Sequence, residues 1–320
     1  MARVLTVTLN PALDLTVQLP ALRLGEVNRG ESLQVHAAGK GLNVAQVLAD
    51  LGHQLTVTGF LGEGNPQAFE QLFAARGFAD EFVRVPGDTR SNIKLAEADG
   101  QVTDINGPGL KVSEAHCTEL LTRLQRLAPA HDLVVVAGSL PRGIDSQWFV
   151  QLLQTLRRLG VRVALDTSGA ALRDGLAATP WLIKPNEEEL AEARDVELTE
   201  SSALTVEARR LQAEGIEHVV ISQGANGVSW FSPGAALHAQ PPKVQVVSTV
   251  GAGDSLLAGM IHGLLEDWPA ERTLAHATAV AAQAVGQVGF GITDTDGLAD
   301  LEARVRLQPL SQQNEQEVKE

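Results

Sequence analysis

The sequence predicts a doubly wound α/β fold, with a mostly parallel sheet covered by helices on both faces and a small β-sheet lid. Three observations predict it. At 320 residues the chain is long enough to bury one large core. Short apolar runs alternate with helical patterns almost throughout, and near-continuous apolar strands belong in sheets buried on both faces. Two regions break this rhythm with strict alternation of apolar and polar residues, as half-exposed strands do.

In chain order, β-rich runs lie at 4–9, 55–60, 133–137, 161–165, 181–183 and 219–222. Helical patterns lie between them at 42–51, 66–76, 113–127, 147–159, 187–194 and 204–214. A further run at 244–249, with valine at alternate positions, reads as a strand leading into a glycine turn. Two helices close the chain, at 254–265 and 270–288, the second rich in alanine. The off-rhythm regions are 15–19 with 33–36, and 91–97 with 101–105, the latter pair flanking the hairpin signal Asp99-Gly100. Two readings are open for them: lid segments at about 12–36 and 90–106, or an ordinary edge hairpin of the main sheet. No repeat or linker divides the chain, so 1–308 reads as one domain and 309–320 as a polar, disordered tail.

Composition excludes several classes. A formal net charge of −14 disfavours nucleic acid and anionic membranes. Cys117 is the single cysteine, so no disulfide framework or thiolate metal cluster is available, and a reducing cytoplasm fits. Neither a signal peptide nor an apolar stretch of membrane-spanning length is present.

Six segments carry possible chemistry. In Ser248-Thr249-Val250-Gly251-Ala252-Gly253-Asp254 a glycine turn opens a helix, where unpaired N–H groups and the helix dipole attract a phosphate. Asp254 is either a base beside that phosphate or a carboxylate complementing the dipole. In Gly39-Lys40-Gly41-Leu42-Asn43, glycines that let a ligand approach the backbone precede another helix; Lys40 offers a point charge and Asn43 both a donor and an acceptor. Asp14 lies just beyond the first strand, where ligands bind in open α/β sheets, though taken alone it reads as a turn residue. Arg90, Asn92 and Lys94 alternate in a strand and so share one face. In Lys184-Pro185-Asn186-Glu187-Glu188-Glu189, Asn186 and Glu189 have capping-box spacing, and their oxygens also suit the waters of a Mg²⁺. Ser222-Gln223-Gly224-Ala225-Asn226-Gly227 is a tight turn or a ledge for a nucleotide. A P-loop is absent.

In this order the segments resemble the ribokinase-like, or PfkB, carbohydrate kinase family over roughly 1–308. Gly39-Lys40-Gly41-Leu42-Asn43 resembles its first signature, and Thr249-Val250-Gly251-Ala252-Gly253-Asp254 with Ala258-Gly259 its second. Gly138-Ser139-Leu140-Pro141 and Thr89 to Lys94 further resemble members acting on phosphorylated sugars. The resemblance implies an ATP- and Mg²⁺-dependent kinase with Asp254 as base and the N–H groups of Gly251, Ala252 and Gly253 holding the transferring phosphoryl group. It implies Asp14, Gly39, Asn43 and Asn92 on the sugar, and Lys40, Arg90 and Lys94 on the phosphate it already carries. Lys184, Ser222, Gly224, Gly227 and Thr249 would line the ATP site, with residues 279–283 near the adenine. Asn186 and Glu189 would hold Mg²⁺, through water. The implied acceptor is fructose 1-phosphate, giving fructose 1,6-bisphosphate. Tagatose 6-phosphate and fructose 6-phosphate are the alternative acceptors, and a catalytically silent sugar-phosphate sensor the remote one. A homodimer paired through the lid is also implied.

Overall fold

A computed structural model describes residues 1–198, 201–287 and 289–310. Its strands are β1 (Arg3–Thr8), β2 (Ala12–Leu19), β3 (Ser32–Ala38), β4 (Gln54–Gly62), β5 (Ala79–Asp80), β6 (Val83–Val85), β7 (Arg90–Glu97), β8 (Val102–Asn106), β9 (Leu133–Ala137), β10 (Val163–Asp166), β11 (Leu182–Ile183), β12 (His218–Ser222), β13 (Val228–Phe231), β14 (Ala236–Gln240) and β15 (Arg306–Pro309). Its α-helices are α1 (Lys40–Asp50), α2 (Gln67–Arg76), α3 (Glu114–Leu127), α4 (Ser146–Arg158), α5 (Gly169–Gly175), α6 (Glu187–Arg194), α7 (Ser201–Ala213), α8 (Ala252–Leu265), α9 (Ala270–Val285) and α10 (Thr295–Arg304).

The main sheet runs β15-β14-β13-β12-β11-β10-β9-β1-β4-β5, with β6 also on β4. Pairing is parallel from β5 to β12 and antiparallel from β12 to β15. Successive side chains of a strand point to opposite faces, and the core divides accordingly. Val134 and Val136 of β9 join Leu124, Leu152 and Leu211 on one face. Leu133 and Val135 join Leu42, Phe69, Leu257 and Leu274 on the other. Two helical layers therefore sandwich the sheet, and the carboxyl ends of its parallel strands lie along one edge, where a ligand site is expected.

β3-β2-β7-β8 form a separate four-stranded sheet, so the off-rhythm regions are a lid and not an edge hairpin. Asp99-Gly100 makes its predicted turn, with Gly100 at φ 90° and its N–H donating to Glu97 O at 3.0 Å. The register places Asp14 beside His36 and Asn92, and Leu15 beside Val35 and Ile93.

The predicted strand at 244–249 does not form. β14, which precedes it, is already paired on both edges by β13 and β15. With β14 unable to take a further partner, the N–H groups of Val247 and Ser248 both donate to Val285 O, at 2.9 and 3.1 Å, and Val246 stays 64 % exposed. The glycine turn thus follows an irregular segment. Pro309 ends β15, and Leu310 N–H donates to Ala236 O at 2.8 Å, so the predicted tail starts too early; residues 311–320 lie outside the described residues, as does residue 288 at the predicted end of α9.

Candidate active site

The first turn of α8 forms as its residues dictate. Gly251 caps the helix at φ 82°, and a Cβ there would fall 2.7 Å from a ring carbon of Phe290, so glycine alone fits. Ser255 N–H donates to Gly251 O at 2.8 Å and opens the helical ladder. Ala252 N–H reaches back to Thr249 O at 3.4 Å, and the first-turn N–H groups have no acceptor inside the helix. Asp254 is the third helical residue and is 5 % exposed.

α1 presents Asn43 to this carboxylate. Asn43 Nδ2 donates to Asp254 Oδ2 at 2.7 Å, and its own Oδ1 is buried without a donor. The glycines before it act differently from expectation. A Cβ on Gly41 would collide with Thr8 Oγ1, and one on Gly39 would lie 2.7 Å from Thr8 Cγ2. Both let α1 close onto the end of β1, so they position Lys40 and Asn43, and that space is filled by Thr8.

Asp166, at the carboxyl end of β10, is the residue that the sequence reading missed. It is 1 % exposed and lies between two ammonium groups: Lys40 Nζ donates to Oδ1 at 3.1 Å, and Lys184 Nζ sits 3.3 Å from Oδ2. Lys184, beyond β11, also faces Gly253, where a Cβ would come within 3.3 Å of Nζ. The available signal was an acid closing an apolar parallel strand, the same rule that drew attention to Asp14.

Electrostatics follow from this packing. Burial first, and then the charge of Asp166, push the Asp254 carboxyl up to about 6; the Asn43 hydrogen bond, Lys40 and Lys184 pull the other way. Burial would lower the Lys40 ammonium, but Asp166, Asp254 and Glu189 outweigh it and raise it, so Lys40 is a fixed positive charge at neutral pH.

The lid supplies a second group. Asn92 Nδ2 and Lys94 Nζ both donate to Asp14, at 3.0 and 2.7 Å. Arg90 donates to the carbonyls of Asn10 and Pro11, at 3.2 and 3.4 Å, and burial, against the attraction of Asp14, lowers its pKa. Two of the three proposed phosphate cations, Lys40 and Lys94, are therefore already paired with carboxylates.

Asn186 and Glu189 form the capping box. Asn186 N–H donates to Glu189 Oε2 at 2.9 Å, and Glu189 N–H to Asn186 Oδ1 at 2.7 Å. Ser222 bridges in parallel to Asn186, bringing the next segment alongside. There Gln223 N–H donates to Gly227 O at 2.8 Å across a tight turn, and Gly224 faces open space. Thr249 lies just before the α8 turn. The predicted residues thus fall into three neighbourhoods: Asp254 with Asn43, Lys40 and Lys184; Asp14 with Asn92, Lys94 and Arg90; and the segment from Asn186 to Gly227.

A sequence profile described as pfkB family carbohydrate kinase matches residues 7–296. The chain belongs to that family. It is 48 % identical to 1-phosphofructokinase of Vibrio cholerae, covering 96 % of this chain and 97 % of that one. It is 47 % identical to 1-phosphofructokinase of Escherichia coli strain K12, covering 97 % and 99 %. Among solved structures, phosphofructokinase-2 from Escherichia coli in complex with fructose-6-phosphate superposes with a TM-score of 0.85 at 26 % identity, covering 95 % and 99 %. The tetrameric inhibited form of that enzyme superposes with a TM-score of 0.87 at 27 % identity, with the same coverage. Membership makes this chain a phosphotransferase acting on a sugar hydroxyl. No helix among the described residues is long and apolar enough to cross a membrane.

Proposed function

We propose that this chain is a 1-phosphofructokinase, transferring the γ-phosphoryl group of ATP to fructose 1-phosphate in the cytoplasm to give fructose 1,6-bisphosphate. The observation that carries it is near-full-length identity of 44–48 % to 1-phosphofructokinases of three genera, against 26–27 % to phosphofructokinase-2. Residues 1–308 act as one catalytic unit with the lid over its site.

Asp254 accepts the proton of the attacking hydroxyl. Its carboxyl lies near 6, ionised at neutral pH yet basic enough to take a proton in the transition state. The N–H groups of Gly251, Ala252 and Gly253 meet the transferring phosphoryl group, whose reaction needs positioning and charge stabilisation above all. Asn43, Asp14, Asn92 and the backbone of Gly39 orient the sugar; Lys40, Arg90 and Lys94 hold its phosphate. For Lys94 this means exchanging Asp14 for the ligand. Lys184, Thr249, Ser222, Gly224 and Gly227 receive ATP.

Mg²⁺ fits the donor set. Glu189, Asp166 and Asn186 offer hard oxygen ligands, and Asp166 Oδ2 is buried without an aligned donor. Glu189 and Asn186, through water, would hold the ion, and Mg²⁺ would neutralise charge on the nucleotide phosphates.

We place a homodimer interface on the lid's outer face. Leu33, Val35 and Ile105 are 60, 47 and 53 % exposed there, aligned with Leu15, Val17, Ile93 and Leu95. Such a patch marks an interaction surface. A coupled assay comparing fructose 1-phosphate, fructose 6-phosphate and tagatose 6-phosphate by kcat/KM tests the substrate. A higher value for either of the other two overturns the assignment.

A further inference from the structure

Two turns beyond Asp254 along α8, a second cluster of ionisable side chains lies outside the kinase site. His53, in the turn between α1 and β4, places Nε2 2.9 Å from His262 Nδ1. Glu266, four residues after His262 at the C-cap of α8, brings a carboxylate oxygen within 4.8 Å of a ring nitrogen of each histidine. We propose that His53 Nε2, His262 Nδ1 and the Glu266 carboxylate bind a divalent transition-metal ion of the Zn²⁺ class, with water in the fourth position.

The donor chemistry favours this ion. Two imidazoles and one carboxylate make an open zinc-type site, whereas Mg²⁺ prefers oxygen ligands throughout. Two imidazole nitrogens around one tetrahedral Zn²⁺ stand roughly 3.3 Å apart at bond lengths near ~2.05 Å, so the observed pair needs to open only slightly. The tautomers can also be followed. Ala2 N–H donates to His53 Nδ1 at 3.2 Å, so His53 carries its proton on Nε2 and shares it with His262 Nδ1. The ion takes the place of that shared proton, which moves to His53 Nδ1 and displaces Ala2. His262 keeps its proton on Nε2 throughout. Burial holds both rings neutral, which leaves their lone pairs available, and His262 is pushed down to about 4 by burial and by His276 and His53.

Trp268 and His276 pack on His262 with ring centroids at 4.8 and 5.5 Å, fixing its orientation. Glu266 is solvent-accessible, and the amino terminus, 3.5 Å away, is its present partner and must yield. An ion here clasps the α1–β4 turn to α8, so its effect is on stability and not on turnover.

The test is Co²⁺ titration of the full chain in millimolar Mg²⁺, read by visible absorption, with Zn²⁺ displacement and Tm as second readouts. One Co²⁺ per chain, bleached by Zn²⁺ and raising Tm, is expected. Glu266→Gln weakens binding roughly tenfold or more and His53→Gln abolishes it, while both variants keep the circular dichroism and kcat of the parent. Absence of a visible band in the unmodified chain overturns the site. Binding left undiminished by either substitution overturns it equally.

Discussion

Asn43 and Asp254 stand 211 positions apart in the chain and 2.7 Å apart in the fold, the amide of one donating to the carboxylate of the other. The bond orients one oxygen of the proposed base and leaves Asn43 Oδ1 buried and open to a donor. Asp254→Asn removes the proton acceptor without changing shape. Its kcat is expected to fall about 10²- to 10⁴-fold with nucleotide binding retained, as single-turnover kinetics and ATP titration will reveal. Near-parental turnover would remove Asp254 from the role of base.

The same substitution is expected to stabilise the fold. The folded-state pKa of Asp254, about 6, is raised above the ordinary carboxylate value. The folded chain therefore holds this proton more tightly than the unfolded chain. The group's contribution favours folding most at low pH and is lost as pH rises through about 6. Asp254→Asn should have the higher Tm at pH 8, and the difference should shrink below pH 6.

With Asp254 as the proposed base, activity is expected to have the opposite dependence on pH, because only its ionised form accepts a proton. kcat/KM is expected to fall as pH drops through about 6. Asp166 raises that value by its charge, so Asp166→Asn should move the acid limb to lower pH. It should also raise KM, as Lys40 and Lys184 lose their shared partner. An unmoved limb would mean that Asp166 only packs.

Lys40→Ala and Arg90→Ala are expected to raise KM for the sugar phosphate roughly tenfold or more, at about 1.4 kcal/mol per tenfold, with a smaller effect on ATP. Steady-state kinetics with each substrate varied in turn separates the two. Equal effects on both substrates would place these residues outside the sugar-phosphate site.

Val35→Asp with Ile105→Asp puts charge on the outer face of the lid, where both side chains are half exposed. Light scattering after size exclusion is expected to record a monomer with unchanged circular dichroism. A dimer that persists would locate the interface elsewhere.

Local pattern made much of this molecule legible. β9 and α6 occupy the predicted residues because an apolar run and a capped acidic helix are decided by neighbours in the chain. Asp254, Lys40 and Asn43 were legible for a related reason, since each sits beside a glycine turn at a helix start. The run at 244–249 misled because valine alternation describes a strand only where a sheet edge is free, and β14 has none. Gly39 and Gly41 were read as room for a ligand, yet Thr8, which fills that room, comes from a strand about thirty residues earlier.

What the sequence by itself determined was the layered α/β class, the family, and the residue types gathered around its glycine turns, while the separate small sheet was left open between two readings. Periodicity and turn chemistry are local, and so they survive without coordinates. Only the tertiary structure decided which charges meet. Asp166 clamps Lys40 and Lys184, Asn43 aims Asp254, and His53 finds His262, each across more than a hundred positions except the Lys184 pair. Burial and the repulsion of Asp166 raise the pKa of Asp254 against the pull of Asn43, Lys40 and Lys184, and all of these depend on distance in space and not along the chain.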